Sequence, residues 1–127
     1  MDISIVKTVT TDFDATVAKV TEALQTEGFG VLTQIDIQAK MKEKLGRDMD
    51  RYLILGACNP ALAWDALQAF EDIGVLLPCN VIVQEKEGQV WVRAMEPQAA
   101  LGLIDNETVH VVGKEASERL NRVMASL

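Results

Sequence analysis

The chain has 127 residues, of which 49% are apolar and 24% are charged, and its formal net charge is −7. This length and apolar content are typical of one globular domain and exclude an intrinsically disordered protein, so we expect a single domain over residues 1–127. No apolar run approaches the roughly 20 residues of a membrane-spanning helix. The sequence also lacks the basic stripe that phosphate backbones require. We therefore expect no membrane and no nucleic-acid partner.

The start of the chain and its cysteines indicate a compartment. Residues 1–4 lack the basic segment and the apolar stretch of a secretory signal. Two cysteines without such a signal are typical of a reducing compartment, in which thiols stay free. We therefore expect a cytoplasmic protein.

The first half of the chain predicts a strand, a long helix, a second strand and a short helix. Residues 3–9 have the apolar content of a strand, and residues 12–27 predict a helix that ends at Gly28. The apolar residues of this helix fall on one stripe: Phe13, Val17, Val20 and Leu24. Residues 30–37 alternate like a strand, and residues 38–45 are typical of a short helix.

The middle of the chain predicts a buried strand followed by another helix. Residues 52–57 form a continuous apolar run, which is typical of a strand buried on both faces. Asn59 is a favoured N-cap and Pro60 a favoured first helical residue. We therefore expect a helix from Pro60 to about residue 72.

The last third predicts a hairpin and a closing helix. Residues 80–84 and 89–95 are two strands around a short turn that contains glycine. After Asn106 the apolar residues follow a helical stripe: Val109, Val112, Ala116, Leu120 and Val123. Together the elements favour the α+β class, with a mainly antiparallel sheet of about five strands and helices packed on one face.

Most kinds of catalytic site find no support in the sequence. The single histidine, His110, falls beside the apolar stripe of the last helix, where a surface position is expected. The glycines at 28 and 30 bracket a helix-to-strand junction and do not form a phosphate-binding loop. No pair of carboxylates lies within an apolar run. We assign no catalytic residues.

Two cysteines in similar contexts are the remaining candidates for chemistry. They stand in the sequences Cys58-Asn59-Pro60 and Pro78-Cys79-Asn80. Cys58 directly precedes a predicted helix, whose unpaired amides favour a thiolate and lower the thiol pKa. A thiolate is the form that binds metals and attacks electrophiles.

The two thiols are able to meet. The predicted helix over 60–72 advances about 20 Å along its axis, and an extended segment over 73–78 can return about 20 Å. Cys79 can therefore come back to the end of the sheet that holds Cys58. The strand before Cys58 and the strand after Cys79 would then run antiparallel.

Purely structural cysteines are the alternative. A free cysteine is often buried and behaves as a small apolar residue, while Asn59 is explained as a helix cap and Pro78 as a turn residue. A tetrahedral zinc site needs four ligands. Two thiols from each of two subunits would be required to complete it.

Three motifs carry a resemblance to a known family: LGACNP at 55–60, LLPCNVIV at 76–83 and MEP at 95–97. With them the chain resembles domain-of-unknown-function family 302, which comprises small bacterial and archaeal proteins. The resemblance implies an α+β fold similar to that of the TATA-binding protein. Such a fold has a curved antiparallel sheet with two main helices on one face, here with an extra helix near 60–72. The family has no established activity and so implies no catalytic residues.

The first hypothesis is a thiol-centred site. Cys58 and Cys79 would bind a soft metal ion or cycle between dithiol and disulfide. The residues around them would support the sulfurs, with the two asparagines orienting them: Asn59, Pro60, Pro78 and Asn80.

Two alternatives involve no catalysis. A curved sheet under a helix can enclose an apolar pocket for a small ligand. Its expected lining residues, which core packing would equally explain, are Phe29, Trp64, Trp91 and Met95. An exposed strand edge can also pair with a second copy, and we expect a homodimer. The sequence identifies no substrate, ligand or metal.

Overall fold

Five strands form one antiparallel sheet in the computed structural model, which describes residues 2–127. The strands are β1 (Ser4–Val9), β2 (Gly30–Asp36), β3 (Tyr52–Cys58), β4 (Cys79–Lys86) and β5 (Gln89–Met95). Their order across the sheet is β1-β5-β4-β3-β2, and every neighbouring pair is antiparallel. The predicted α+β fold with a five-stranded sheet is confirmed.

Residues 2–127 also form five α-helices and one 3₁₀ helix, of which α4 and α5 follow the last strand. The α-helices are α1 (Phe13–Thr26), α2 (Ile37–Leu45), α3 (Pro60–Ala69), α4 (Pro97–Leu101) and α5 (Glu107–Ala125). The predicted helix over 60–72 is shorter than expected, because Phe70 adopts an extended backbone and a 3₁₀ helix over Glu71–Leu76 follows. Within residues 2–127, no helix has the length and apolar content needed to cross a bilayer.

Helices α1 and α5 cover one face of the sheet. Leu24 of α1 and Leu120 of α5 are fully buried against sheet residues such as Val83 and Val92. Each such side chain contributes about 1.5–3 kcal/mol through removal of its apolar surface from water. The predicted α5 stripe is confirmed, because all five of its residues are buried.

A second, smaller core lies beyond one end of the sheet. Residues of α3, the 3₁₀ helix, α4 and α5 meet there: Ala66, Ile73, Leu101, Val109 and Val112. This cluster holds α3 against α5. It thereby fixes the segment that joins Cys58 to Cys79.

The opposite face of the sheet, here called the open face, is not covered by α1 or α5. Side chains alternate along a strand, so the neighbours of the buried Val83 and Val92 point to this side. Register places one row of residues across it: Val6, Arg93, Ile82, Ile54 and Ile35. Four of these five are apolar, which is unusual for a sheet face that meets water.

The open face has one position where only glycine fits. Gly56 of β3 is paired with Thr33 of β2, and a Cβ atom at Gly56 would lie 3.0 Å from Pro78 Cγ and closer still to the Thr33 hydroxyl. At Gly30 of β2, by contrast, a Cβ atom would meet no atom within 4 Å. The sheet is therefore tightly packed where β3 passes Pro78.

We expect Gly56→Ala to lower the free energy of unfolding by about 1–3 kcal/mol, because added atoms in a packed site force neighbours to move. Gly30→Ala is the matched control, since it reduces unfolded-chain entropy in the same way without a clash. Urea unfolding followed by circular dichroism measures both. Equal stabilities of the two variants would contradict this interpretation.

Candidate functional site

Strand pairing brings the two cysteine-bearing corners together. Ala57 of β3 is paired with Cys79 of β4, and Cys58 is the next residue along β3. With neighbouring strands about 5 Å apart and a rise of about 3.4 Å per residue, the two Cys Cα atoms lie about 6 Å apart. Cα atoms at such a separation lie within the range of disulfides, but alternation along β3 directs Cys58, the neighbour of Ala57, toward the face opposite to that of Cys79, so closing a bond requires a rotation of Cys58 at the end of its strand. The predicted antiparallel relation of the two strands is confirmed, and both thiols are free.

Both cysteines line a small apolar cavity of about 30 Å³. Its walls come from the ends of β3 and β4 and from short side chains of α3 and α5, such as Ala63 and Ala116. A cavity of this size has space for about one or two water molecules. It is too small for an organic ligand, so any chemistry here involves the sulfurs themselves.

The local environment keeps both thiols protonated at neutral pH. Burial, with a smaller contribution from the charge of Cys58, raises the pKa of Cys79 from an ordinary 9.0 to about 11. Burial also raises the pKa of Cys58. The predicted lowering by the helix N-terminus is therefore wrong, because desolvation beside the apolar cavity dominates.

Asn59 is a helix cap that also joins distant segments. Its side-chain oxygen accepts from the amide of Leu62 at 3.3 Å, and its amide nitrogen donates to the carbonyl of Glu27 at 3.3 Å. The oxygen and the nitrogen of the side chain are thus both hydrogen-bonded to backbone groups. The prediction that Asn59 orients the sulfurs is wrong, while its predicted capping of the helix that begins at Pro60 is confirmed.

Asn80 and Pro78 have separate positions around Cys79. Asn80 is exposed and paired with Gly56, and alternation along β4 places its side chain on the open face, away from Cys79. The prediction that Asn80 orients a sulfur is therefore wrong. Pro78 follows a cis peptide bond and lines the cavity beside both cysteines.

The remaining predicted positions do not converge on a site. His110 is exposed on α5 and does not line the thiol cavity. Residues 2–127 contain no group of three or more His, Cys, Asp or Glu side chains that could hold a metal. The predicted aromatic pocket is wrong, since Phe29 lines the thiol cavity, Met95 lines a groove on the open face and Trp64 is 64% exposed.

Comparison with known proteins identifies the family. The family model described as Domain of unknown function DUF302 matches residues 5–127. The chain belongs to the DUF302 family. No curated protein matches it.

A solved DUF302 structure has the same fold. The crystal structure of an uncharacterized conserved DUF302 protein from Bacillus stearothermophilus is 27% identical in sequence. It aligns with a TM-score of 0.90 over 97% of this chain and 96% of the other. The resemblance to the family is thus confirmed, while the likeness to the TATA-binding protein stays a prediction.

The raised pKa of Cys79 makes the stability of this DUF302 domain depend on pH. In the unfolded chain Cys79 loses its proton above about pH 9, whereas in the fold it keeps the proton up to about pH 11. Between these values the unfolded state binds fewer protons, so stability falls as pH rises. Since one pKa unit corresponds to about 1.4 kcal/mol, the loss attributable to Cys79 is about 2–3 kcal/mol.

We expect Cys79→Ala to lack this loss. Its free energy of unfolding should start lower at pH 8 because of the smaller side chain, and should fall about 2–3 kcal/mol less than that of the unmodified chain by pH 11. Urea unfolding across this pH range measures the difference. The titration of lysine and tyrosine side chains also changes stability in this range, but it is common to both proteins and cancels in the comparison. Parallel curves would show that the Cys79 thiol is not buried as described.

Proposed function

We propose that Cys58 and Cys79 form a dithiol–disulfide couple. The observation that supports it is the cavity that both cysteines line at one end of the sheet, where Cys79 is paired with Ala57, the neighbour of Cys58. Their shared cavity has no third sulfur or imidazole, so a two-sulfur reaction fits the site better than a four-ligand metal centre. Self-association through an exposed strand edge stays a separate prediction.

The two sulfurs differ in exposure to solvent and therefore have different roles in the proposed reaction. Cys58 is partly exposed and has the first contact with a reagent from solution, whereas Cys79 is 7% exposed and is reached only through the cavity. Cys58 is therefore the entry thiol and Cys79 the resolving thiol. A low-molecular-weight disulfide is the class of oxidant that this arrangement accepts.

The reaction proceeds by two thiol–disulfide exchanges. The Cys58 thiolate attacks one sulfur of the small disulfide, forms a mixed disulfide and releases the other half as a thiolate. The Cys79 thiolate then attacks the Cys58 sulfur, closes the internal disulfide and releases the second half. The two protons of the protein thiols pass to the two released thiolates. Two electrons move from the cysteine pair to the small disulfide, and reduction runs the same steps backwards.

Oxidised glutathione is the probe for this proposal. The unmodified protein should lose both free thiols and end with a mass lower by two hydrogens. Cys79→Ser should stop at a glutathione adduct on Cys58, because no resolving thiol is left. Cys58→Ser should stay unmodified, because Cys79 is buried. Peptide mapping by mass spectrometry distinguishes the three products.

Two results would reject the couple. One is a glutathione adduct on Cys58 of the unmodified protein that persists without closing. The other is equal modification of Cys79 in the presence and absence of Cys58, which would mean that Cys79 is reached independently. In either case the cysteines would be structural residues of the core.

We further expect the closing step to be slow at neutral pH and to accelerate with alkalinity. With a pKa of about 11 for Cys79, the fraction of attacking thiolate rises about tenfold for each pH unit. Preformed Cys58–glutathione adduct, transferred from acid to buffers between pH 7 and pH 9, should release glutathione with that dependence. A rate that is flat across this range would contradict the assigned role of Cys79.

A further inference from the structure

A groove of about 700 Å³ lies on the open face, on the side of the sheet away from α1 and α5. Its floor is formed by the ends of β1, β4 and β5, and one wall is formed by α4 and the residues that follow it. This volume falls within the range of small-molecule sites in proteins. Asn80, whose side chain faces away from Cys79, is one of its polar lining residues.

The groove is mostly apolar. Its lining includes Leu76, Ile82, Met95, Ala99 and Leu103. Leu103 is 79% exposed at the rim, and the neighbouring Ile3 is 80% exposed. Apolar side chains presented in this way gain free energy when a hydrocarbon chain covers them.

Arg93 is the single charged residue in the lining of the groove. Its Nε donates to Gln84 Oε1 at 2.8 Å, and its guanidinium lies 5.0 Å from the centre of the Trp91 ring. Among residues 2–127, no carboxylate lies within 4.0 Å of Arg93, whereas three of the other arginines have such a partner. In a chain of net charge −7, this groove therefore presents an uncompensated cation.

Several hydrogen-bond donors around Arg93 have no acceptor within residues 2–127. The indole nitrogen of Trp91, over which Arg93 lies, is buried and has no hydrogen-bond partner within the described chain. The terminal nitrogens of Arg93 likewise make no hydrogen bond to residues 2–127. A carboxylate has the planar geometry to accept two parallel hydrogen bonds from a guanidinium.

We propose that this groove binds a small amphiphile, a single hydrocarbon chain that ends in a carboxylate. The carboxylate pairs with the guanidinium of Arg93, and the chain lies along Ile82, Leu76 and Leu103. Such a ligand supplies the charge partner that Arg93 lacks and also covers the apolar floor of the groove. The site is distinct from the thiol couple, because alternation along β4 turns Asn80 and Ile82 to one side and Cys79 to the other.

Charge favours a small ligand over a second copy of the chain. Among the described residues 2–127, no aspartate or glutamate lines the groove. Pairing of two open faces would therefore bury the guanidinium of each copy without a carboxylate from the facing groove, which is costly. An amphiphile brings the missing charge with it.

Titration with octanoate, with 1-octanol and octyltrimethylammonium as matched ligands, tests the proposal. Octanoate should bind about tenfold or more tightly than octanol, because hydrogen bonds to a charged group contribute at least that factor. The cationic ligand should bind more weakly still. Amide chemical shifts should change around residues 80–82, 93–95 and 98–103, and not around Cys58.

Three variants separate charge from shape. Arg93→Gln should reduce octanoate affinity to that of octanol, while Arg47→Gln, which removes another arginine without a carboxylate partner outside the groove, should change nothing. Leu103→Ala should weaken both ligands equally, and its exposed position makes it safe for folding. Circular dichroism checks that Arg93→Gln folds.

Several outcomes would overturn the proposal. Equal affinity for octanoate and octanol, or unchanged octanoate binding by folded Arg93→Gln, would remove the role of the cation. Shifts confined to other surfaces would remove the groove as the site. A dimer in sedimentation that covers the open face and ignores octanoate would assign this face to a second copy.

Discussion

The register between β3 and β4 is the constraint on which both proposed sites depend. It pairs Ala57 with Cys79 and Gly56 with Asn80. Because side chains alternate along a strand, a slip by one residue would exchange the two faces of β4. Cys79 would then face the open side and Asn80 the helices. The packing at Gly56, which leaves no space for a side chain beside Pro78, opposes such a slip.

Periodicity was enough to predict the elements and the face that the helices cover. The stripe from Val109 to Val123 is buried as the spacing indicates, and Asn59 caps a helix as its residue type favours. The paired Cys-Asn contexts, however, suggested that each asparagine serves its sulfur. In the structure neither asparagine serves a sulfur. Asn80 lies on the face of β4 opposite to Cys79, and the side chain of Asn59 is hydrogen-bonded to backbone groups of Leu62 and Glu27.

The pKa values and the groove depend on residues that are distant in sequence. A local pattern indicates a helix start after Cys58, which favours a thiolate, but the burial that opposes it comes partly from Leu101 and Ala116, which line the same cavity. The groove likewise joins Arg93 to Leu76 and Leu103, which belong to different connections. No spacing in the sequence relates these positions, so neither property could be predicted from it.

The sheet also explains why the two sites lie on opposite faces although they share β4. Cys79 and Asn80 are adjacent in sequence, so a change at the sulfur reaches the groove through the backbone of β4. Two other short segments also have one residue in each site: Leu76–Leu77 and Ala100–Leu101. That backbone is hydrogen-bonded on one side to β3 and on the other to β5, where Val81 is paired with Ala94. A strand held on both sides moves little when one side chain changes its covalent state. Oxidation of the thiols and occupation of the groove are therefore separate reactions on opposite sides of the sheet, although α4 and the segment before β4 border both sites.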